Sequence, residues 1–170
     1  VGYYAGYANT GHVNVYVGKS AGQNAGDGGK VYSNVIIGNY AGRYITGDSV
    51  VHVGSDAGYY ASGSYNTFVG QQAGKGGTTG VPYSTGINNT AMGYQALDAF
   101  TTGPGNTAVG VNALGAVNTG DYNVAMGYAA GGGLTSGATN VAIGYVALQA
   151  EQAGSSTVAI GKEAALLQNI

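Results

Sequence analysis

Asn106-Thr-Ala-Val-Gly110, Asn123-Val-Ala-Met-Gly127 and Asn140-Val-Ala-Ile-Gly144 are one phrase written three times, 17 residues apart. Followed outward, its glycine recurs at Gly2, Gly18, Gly38, Gly54, Gly70, Gly93, Gly110, Gly127, Gly144 and Gly161, in steps of 16, 20, 16, 16, 23, 17, 17, 17 and 17. Three residues after every one of them stands an alanine, from Ala5 and Ala21 to Ala147 and Ala164. A period of this size marks a repeat architecture. Read as strands, the phrases predict an all-β fold, a parallel β-solenoid of ten coils with the motif glycines in a column. The loops divide it into irregular coils over residues 1–77, a protruding insertion over 78–88 around Val81-Pro82-Tyr83, and regular coils over 89–161. Residues 162–170, which hold the helix formers Lys162-Glu-Ala-Ala-Leu-Leu-Gln168, suit an exit into a stalk. The chain opens at Val1, one residue before a motif glycine, and is read as a segment of something longer.

Composition supports an ordered array. The 34 glycines come with only 2 prolines, a bias toward chain reversal at fixed places rather than toward collagen or a disordered linker. Charged residues make up 7% of the chain and the net charge is −2, so there is no basic patch for nucleic acid. Cysteine is absent, which removes disulfides and thiolate chemistry. No apolar run is long enough to span a bilayer, and no signal-peptide pattern is present.

Alternation along each strand sets the expected facing. The residue before glycine is Val, Ile or Met, and the one two places earlier is Val or Thr; these two are assigned to the interior. The residue between them reads Tyr16, Ile36, His52, Phe68 and then five alanines, Ala91, Ala108, Ala125, Ala142 and Ala159. It is assigned to a second apolar face that another copy must cover, which puts Ala108, Ala125 and Ala142 at a subunit interface. So thin an interior argues in the same direction, since one coil alone buries little against the entropy of ordering it. Leu97, Leu114 and Leu148 replace glycine at the fourth place after the motif glycine in the later coils, giving the two halves different cross-sections.

The motif asparagines, Asn89, Asn106, Asn123 and Asn140 among them, can either bond up the fibre as a ladder or serve as turn formers. The acidic residues Asp27, Asp48, Asp56, Asp98, Asp121, Glu151 and Glu163 fall at scattered offsets, so the repeat sets no two carboxylates side by side and no catalytic pair, metal site or cofactor is expected. Asp27-Gly28-Gly29 has the look of a calcium-binding nonapeptide but occurs once. His12 and His52 read as packing or loop residues. The 15 tyrosines, without any tryptophan, either pack coil edges or offer rings and hydroxyls to sugars, with Tyr83 in the long loop as the candidate glycan contact.

With Val and Ile around an alanine, then glycine, then alanine three places on, the repeat resembles the head repeats of YadA-like trimeric autotransporter adhesins; Thr157-Val-Ala-Ile-Gly161 is the nearest match. The N-T-A-V-G phrase at Asn106 to Gly110 and the G-Y-Q-A-L phrase at Gly93 to Leu97 are similar to segments of bacteriophage tail fibres. Asparagine stands where the adhesin heads favour serine, and the coil is longer, which favours the phage version. The resemblance implies left-handed winding, a homotrimer, neighbouring segments of a longer fibre, and attachment to host-surface glycans from a virion tail fibre. The alternative is an adhesin head at a bacterial cell surface, and more remotely a solenoid polysaccharide lyase. An ice-binding solenoid needs a flat threonine array, and Thr67, Thr90 and Thr107 share an offset assigned to the interior. No membrane insertion is expected.

Overall fold

The computed structural model describes residues 1–26, 30–77, 84–150 and 153–166. Nine three-residue strands follow one another: β1 (Val15–Val17), β2 (Val35–Ile37), β3 (Val51–Val53), β4 (Thr67–Val69), β5 (Thr90–Met92), β6 (Thr107–Val109), β7 (Val124–Met126), β8 (Val141–Ile143) and β9 (Val158–Ile160). All pair in parallel, in chain order, in a single sheet. The molecule is therefore a parallel β-solenoid of about eight turns, and no helix occurs among the described residues. Register follows the motif throughout. Even across the 23-residue step Thr67 pairs with Thr90, Phe68 with Ala91 and Val69 with Met92.

The motif glycines stack as expected, for two reasons. Each from Gly18 to Gly161 has φ between 121° and 141°, where a side chain is strained. A Cβ at Gly110 would also lie 2.5 Å from the Gly127 carbonyl oxygen, and the same holds turn after turn. A second glycine column, which the reading of the phrase alone missed, stands three residues before the motif asparagines: Gly63, Gly86, Gly103, Gly120 and Gly137. Here close approach is the constraint, since a Cβ at Gly103 would sit 2.0 Å from the Gly120 oxygen.

The facing of the strands is the reverse of the expectation. The middle residue points into the coil: Ile36, His52, Phe68, Ala91, Ala108, Ala125 and Ala142 are fully buried within the single chain. Ala108, Ala125 and Ala142 are thus core residues and not interface residues. The flanking Val, Ile, Met and Thr point outward, with Met92 and Met126 each 48% exposed. Size explains the inversion. A three-residue strand sends one side chain inward and two outward, and the inner space is narrow. Alanine repeated at one place reports that confinement.

Three more columns complete the interior. The alanine three places after the motif glycine is buried from Ala21 to Ala147. Ile45, Ala61, Phe100, Val117 and Leu134, seven places after it, are also buried. At the fourth place the halves trade volume. A Cβ at Gly58 or Gly74 would lie 2.2 Å from the His52 ring or 2.4 Å from that of Phe68. Where the strand carries alanine, Leu97, Leu114 and Leu148 fill the same space, and they hold φ of 53°, 50° and 53° to do so.

Two boundaries change. Ser84 already bridges Ala61 in parallel and the Asn88 amide donates to the Ser64 carbonyl, so residues 84–88 belong to the stack and not to a protrusion; 78–83 lie outside the described residues. Residues 162–166, the described part of the 162–170 stretch, form a turn and no helix; 167–170 lie outside the described residues. Glu163 and Ala165 have φ of 56° and 55°, and the Glu163 amide donates to Tyr145, as in any other turn.

Candidate functional site

Each motif asparagine has a buried side chain from Asn34 to Asn140, apart from the turn carrying Val50. Its Oδ1 accepts the backbone N–H of the motif residue one turn on: Asn89 Oδ1 from the Asn106 N–H at 2.8 Å, Asn106 Oδ1 from Asn123 at 3.0 Å, Asn123 Oδ1 from Asn140 at 3.0 Å and Asn140 Oδ1 from Thr157 at 2.9 Å. Its Nδ2 donates to the next glycine of the second column, Asn89 to Gly103, Asn106 to Gly120 and Asn123 to Gly137, at 3.0, 2.9 and 2.8 Å. In the regular coils amide-to-amide bonds join Asn123 to Asn106 and Asn140 to Asn123. The ladder exists, and most of its bonds run from side chain to backbone. It is internal scaffolding and offers nothing to a ligand.

Three features face outward. The first is the outer face of the sheet, where two columns, Val15, Val35, Val51, Thr67, Thr90, Thr107, Val124, Val141, Val158 and Val17, Ile37, Val53, Val69, Met92, Val109, Met126, Ile143, Ile160, run the length of the stack without a charge. Thr67, Thr90 and Thr107 are therefore on this outer face, not in the interior to which their offset alone assigns them. Eight steps of about 4.8 Å make it about 38 Å long.

The second is a tyrosine corner on the turns after β2 and β3. Tyr44 and Tyr60 share an offset from their motif glycines, and their rings stack with centroids 5.9 Å apart and planes 2° from parallel. Arg43 and Tyr59 share the preceding offset. The Arg43 guanidinium carbon lies 5.2, 5.1 and 5.8 Å from the rings of Tyr40, Tyr44 and Tyr59, and its Nη1 donates to the Tyr59 hydroxyl at 2.7 Å. Lys19 stands over Tyr40 at 5.5 Å. Burial pushes the Tyr59 hydroxyl pKa up, against the pull of Arg43. The tyrosines of this corner are visible in the sequence as a cluster; the arginine at its centre emerges only when offsets are compared turn by turn.

The third is an open groove of about 550 Å³ on the later turns. Tyr128 and Tyr145, stacked at 5.4 Å, form one wall, Ala129 and Val146 are among the apolar residues that line it, and Asp98, Asn112 and Gln149 supply its polar groups. Burial raises the Asp98 pKa, while its own backbone hydrogen bond and Lys75 oppose the rise. Asp98 is the one carboxylate of this lining, and no histidine joins it.

Among the described residues no three acidic or histidine side chains gather to hold a metal ion, and no helix is long and apolar enough to cross a membrane. His52 is interior, its ring stacked on Phe68 at 5.0 Å. Tyr83, Glu151 and the Asp27-Gly28-Gly29 stretch lie outside the described residues. Comparison with family models, curated proteins and solved structures returns no match.

Proposed function

We propose that this chain is a structural and adhesive segment of a homotrimeric fibre, in keeping with the phage tail-fibre resemblance, that attaches to host-surface glycans. The observation that carries the reading is the outer sheet face. Two uncharged, largely apolar columns nine strands long are an exposed patch of the kind that marks an interaction surface. An identical sheet is the partner that matches both its apolarity and its period along the whole length. The subunit interface accordingly moves from the alanines to the Val, Ile and Met columns. Left-handed winding and a count of ten coils belong to the same reading; the count draws on Gly2, where a Cβ would lie 2.5 Å from the Gly18 oxygen, as in the rest of the column. The tyrosine corner and the groove face solvent in the single chain and suit saccharides, which pair apolar CH faces with hydroxyls.

Sedimentation of the wild-type chain and of Met126→Glu tests assembly. The wild type is expected at three times the chain mass and the variant at one, with unchanged far-UV circular dichroism. Assembly that survives Met126→Glu overturns the interface. A glycan array on the assembled fibre tests attachment. The outward threonines Thr67, Thr90 and Thr107 also keep an ice-binding reading in view, although six of the nine places in their column are Val; thermal hysteresis at micromolar protein would replace the adhesive reading.

A further inference from the structure

We infer that Arg43 is the binding centre for the oxyanion of an acidic saccharide, an inference that rests on the adhesive reading above. A guanidinium offers five N–H donors in a planar fork suited to oxyanions. At Arg43 the tyrosine corner satisfies little of that capacity. Nη1 bonds to the Tyr59 hydroxyl, while Nε is buried without an acceptor. The ion pair found among the described residues joins Lys162 to Glu163 and leaves Arg43 without a carboxylate partner. Asp56, on the neighbouring turn, is instead bonded by the Ser55 hydroxyl at 3.4 Å. The charge is held by the rings of Tyr40, Tyr44 and Tyr59, which fix the fork without neutralising it.

Such a group is preorganised for an anion, because the ordering cost is met before the ligand arrives. Lys19, leaning on Tyr40 from the preceding turn, adds a second cation to the same corner. The surroundings specify the rest of the ligand. Rings with hydroxyl rims match a sugar's apolar faces and polar edges, and the net charge of −2 with only five cations disfavours a long polyanion such as nucleic acid. A carboxylate-bearing sugar meets both demands.

The test uses the intact chain and three probes: trigalacturonate, maltotriose as a neutral trisaccharide, and inorganic sulfate. Calorimetry is expected to show trigalacturonate binding that weakens about tenfold in Arg43→Gln, the loss of one charge-assisted hydrogen-bonded contact, and by less in Arg43→Lys. The side-chain nitrogen resonances of Arg43 in the wild type should shift on titration with trigalacturonate, a readout that needs no variant to fold. Trigalacturonate binding indifferent to Arg43, or binding of maltotriose alone, overturns this inference and leaves the adhesive reading standing. Arg43-dependent binding of sulfate without any saccharide overturns the saccharide assignment. A chain that binds none of these probes, and gives no signal as an assembled fibre on a glycan array, overturns the inference and the adhesive reading together.

Discussion

His52 shows how much a single interior position can cost. Its ring fills the place that Ile36 and Phe68 fill in the adjacent turns, and both of its nitrogens are buried without partners. Burial lowers its pKa to about 3 from an ordinary 6.5, so the folded coil holds the neutral imidazole. Between those values the unfolded chain binds the extra proton. The stability that this neutral histidine permits is whole above pH 6.5 and falls as the pH drops toward 3, with a slope approaching 1.4 kcal/mol per unit. His52→Phe removes two unpaired polar atoms and is expected to raise stability by about 1–3 kcal/mol at pH 8, and by more at pH 5. Urea titrations of both proteins at the two pH values measure it, and equal gains at pH 8 and pH 5 would remove His52 as the acid-sensitive group.

The fourth place after the motif glycine shows the same economy across a turn. Gly74 is required by the Phe68 ring, and Leu114 by the space beside Ala108. Gly74→Leu alone should cost more than about 3 kcal/mol, the range of strain and overpacking together. Adding Phe68→Ala converts the turn to the cross-section of its later neighbours and should recover most of that loss. A double-mutant cycle in denaturant reads the coupling; additive effects would mean that the two columns do not share one volume. The asparagine ladder belongs to this scale too. Asn106→Ala strands the Asn123 amide and the Gly120 carbonyl, both buried, for a loss of about 3 kcal/mol. Hydrogen exchange at the Asn123 amide should accelerate before the rest of the sheet does.

For the whole molecule the important contrast is between two neighbouring residues of β7. Ala125→Glu places a charge in the coil interior and is expected to prevent folding, whereas Met126→Glu places one on the outer face and is expected to yield a folded, unassembled chain. Their reversal, a folded Ala125→Glu monomer beside an assembled Met126→Glu fibre, would restore the alanine face as the interface. The structure divides these regions plainly: apolar columns on the outer face of the sheet, tyrosine-lined turns beside it, and a ladder of buried amides locking one turn to the next.

Much of this was legible in spacing alone. Register, parallel stacking and the glycine column follow from the phrase at Asn106, Asn123 and Asn140, because a residue repeated once per turn must stack on itself and only glycine tolerates φ near 130° beneath the next carbonyl. The second column of Gly103, Gly120 and Gly137 was legible in the same way, by the same counting. What spacing could not decide was which side of each strand lies inside. Val109 and Ala108 are both apolar, and hydrophobicity assigns the larger one to the core. Only the tertiary structure measures the interior, which is too narrow for two side chains per strand, and so places Ala108 within and Val109 without. The environment of Arg43 was hidden for a related reason: its partners Tyr40, Tyr44 and Tyr59 come from two turns, and only stacking brings their rings around one cation.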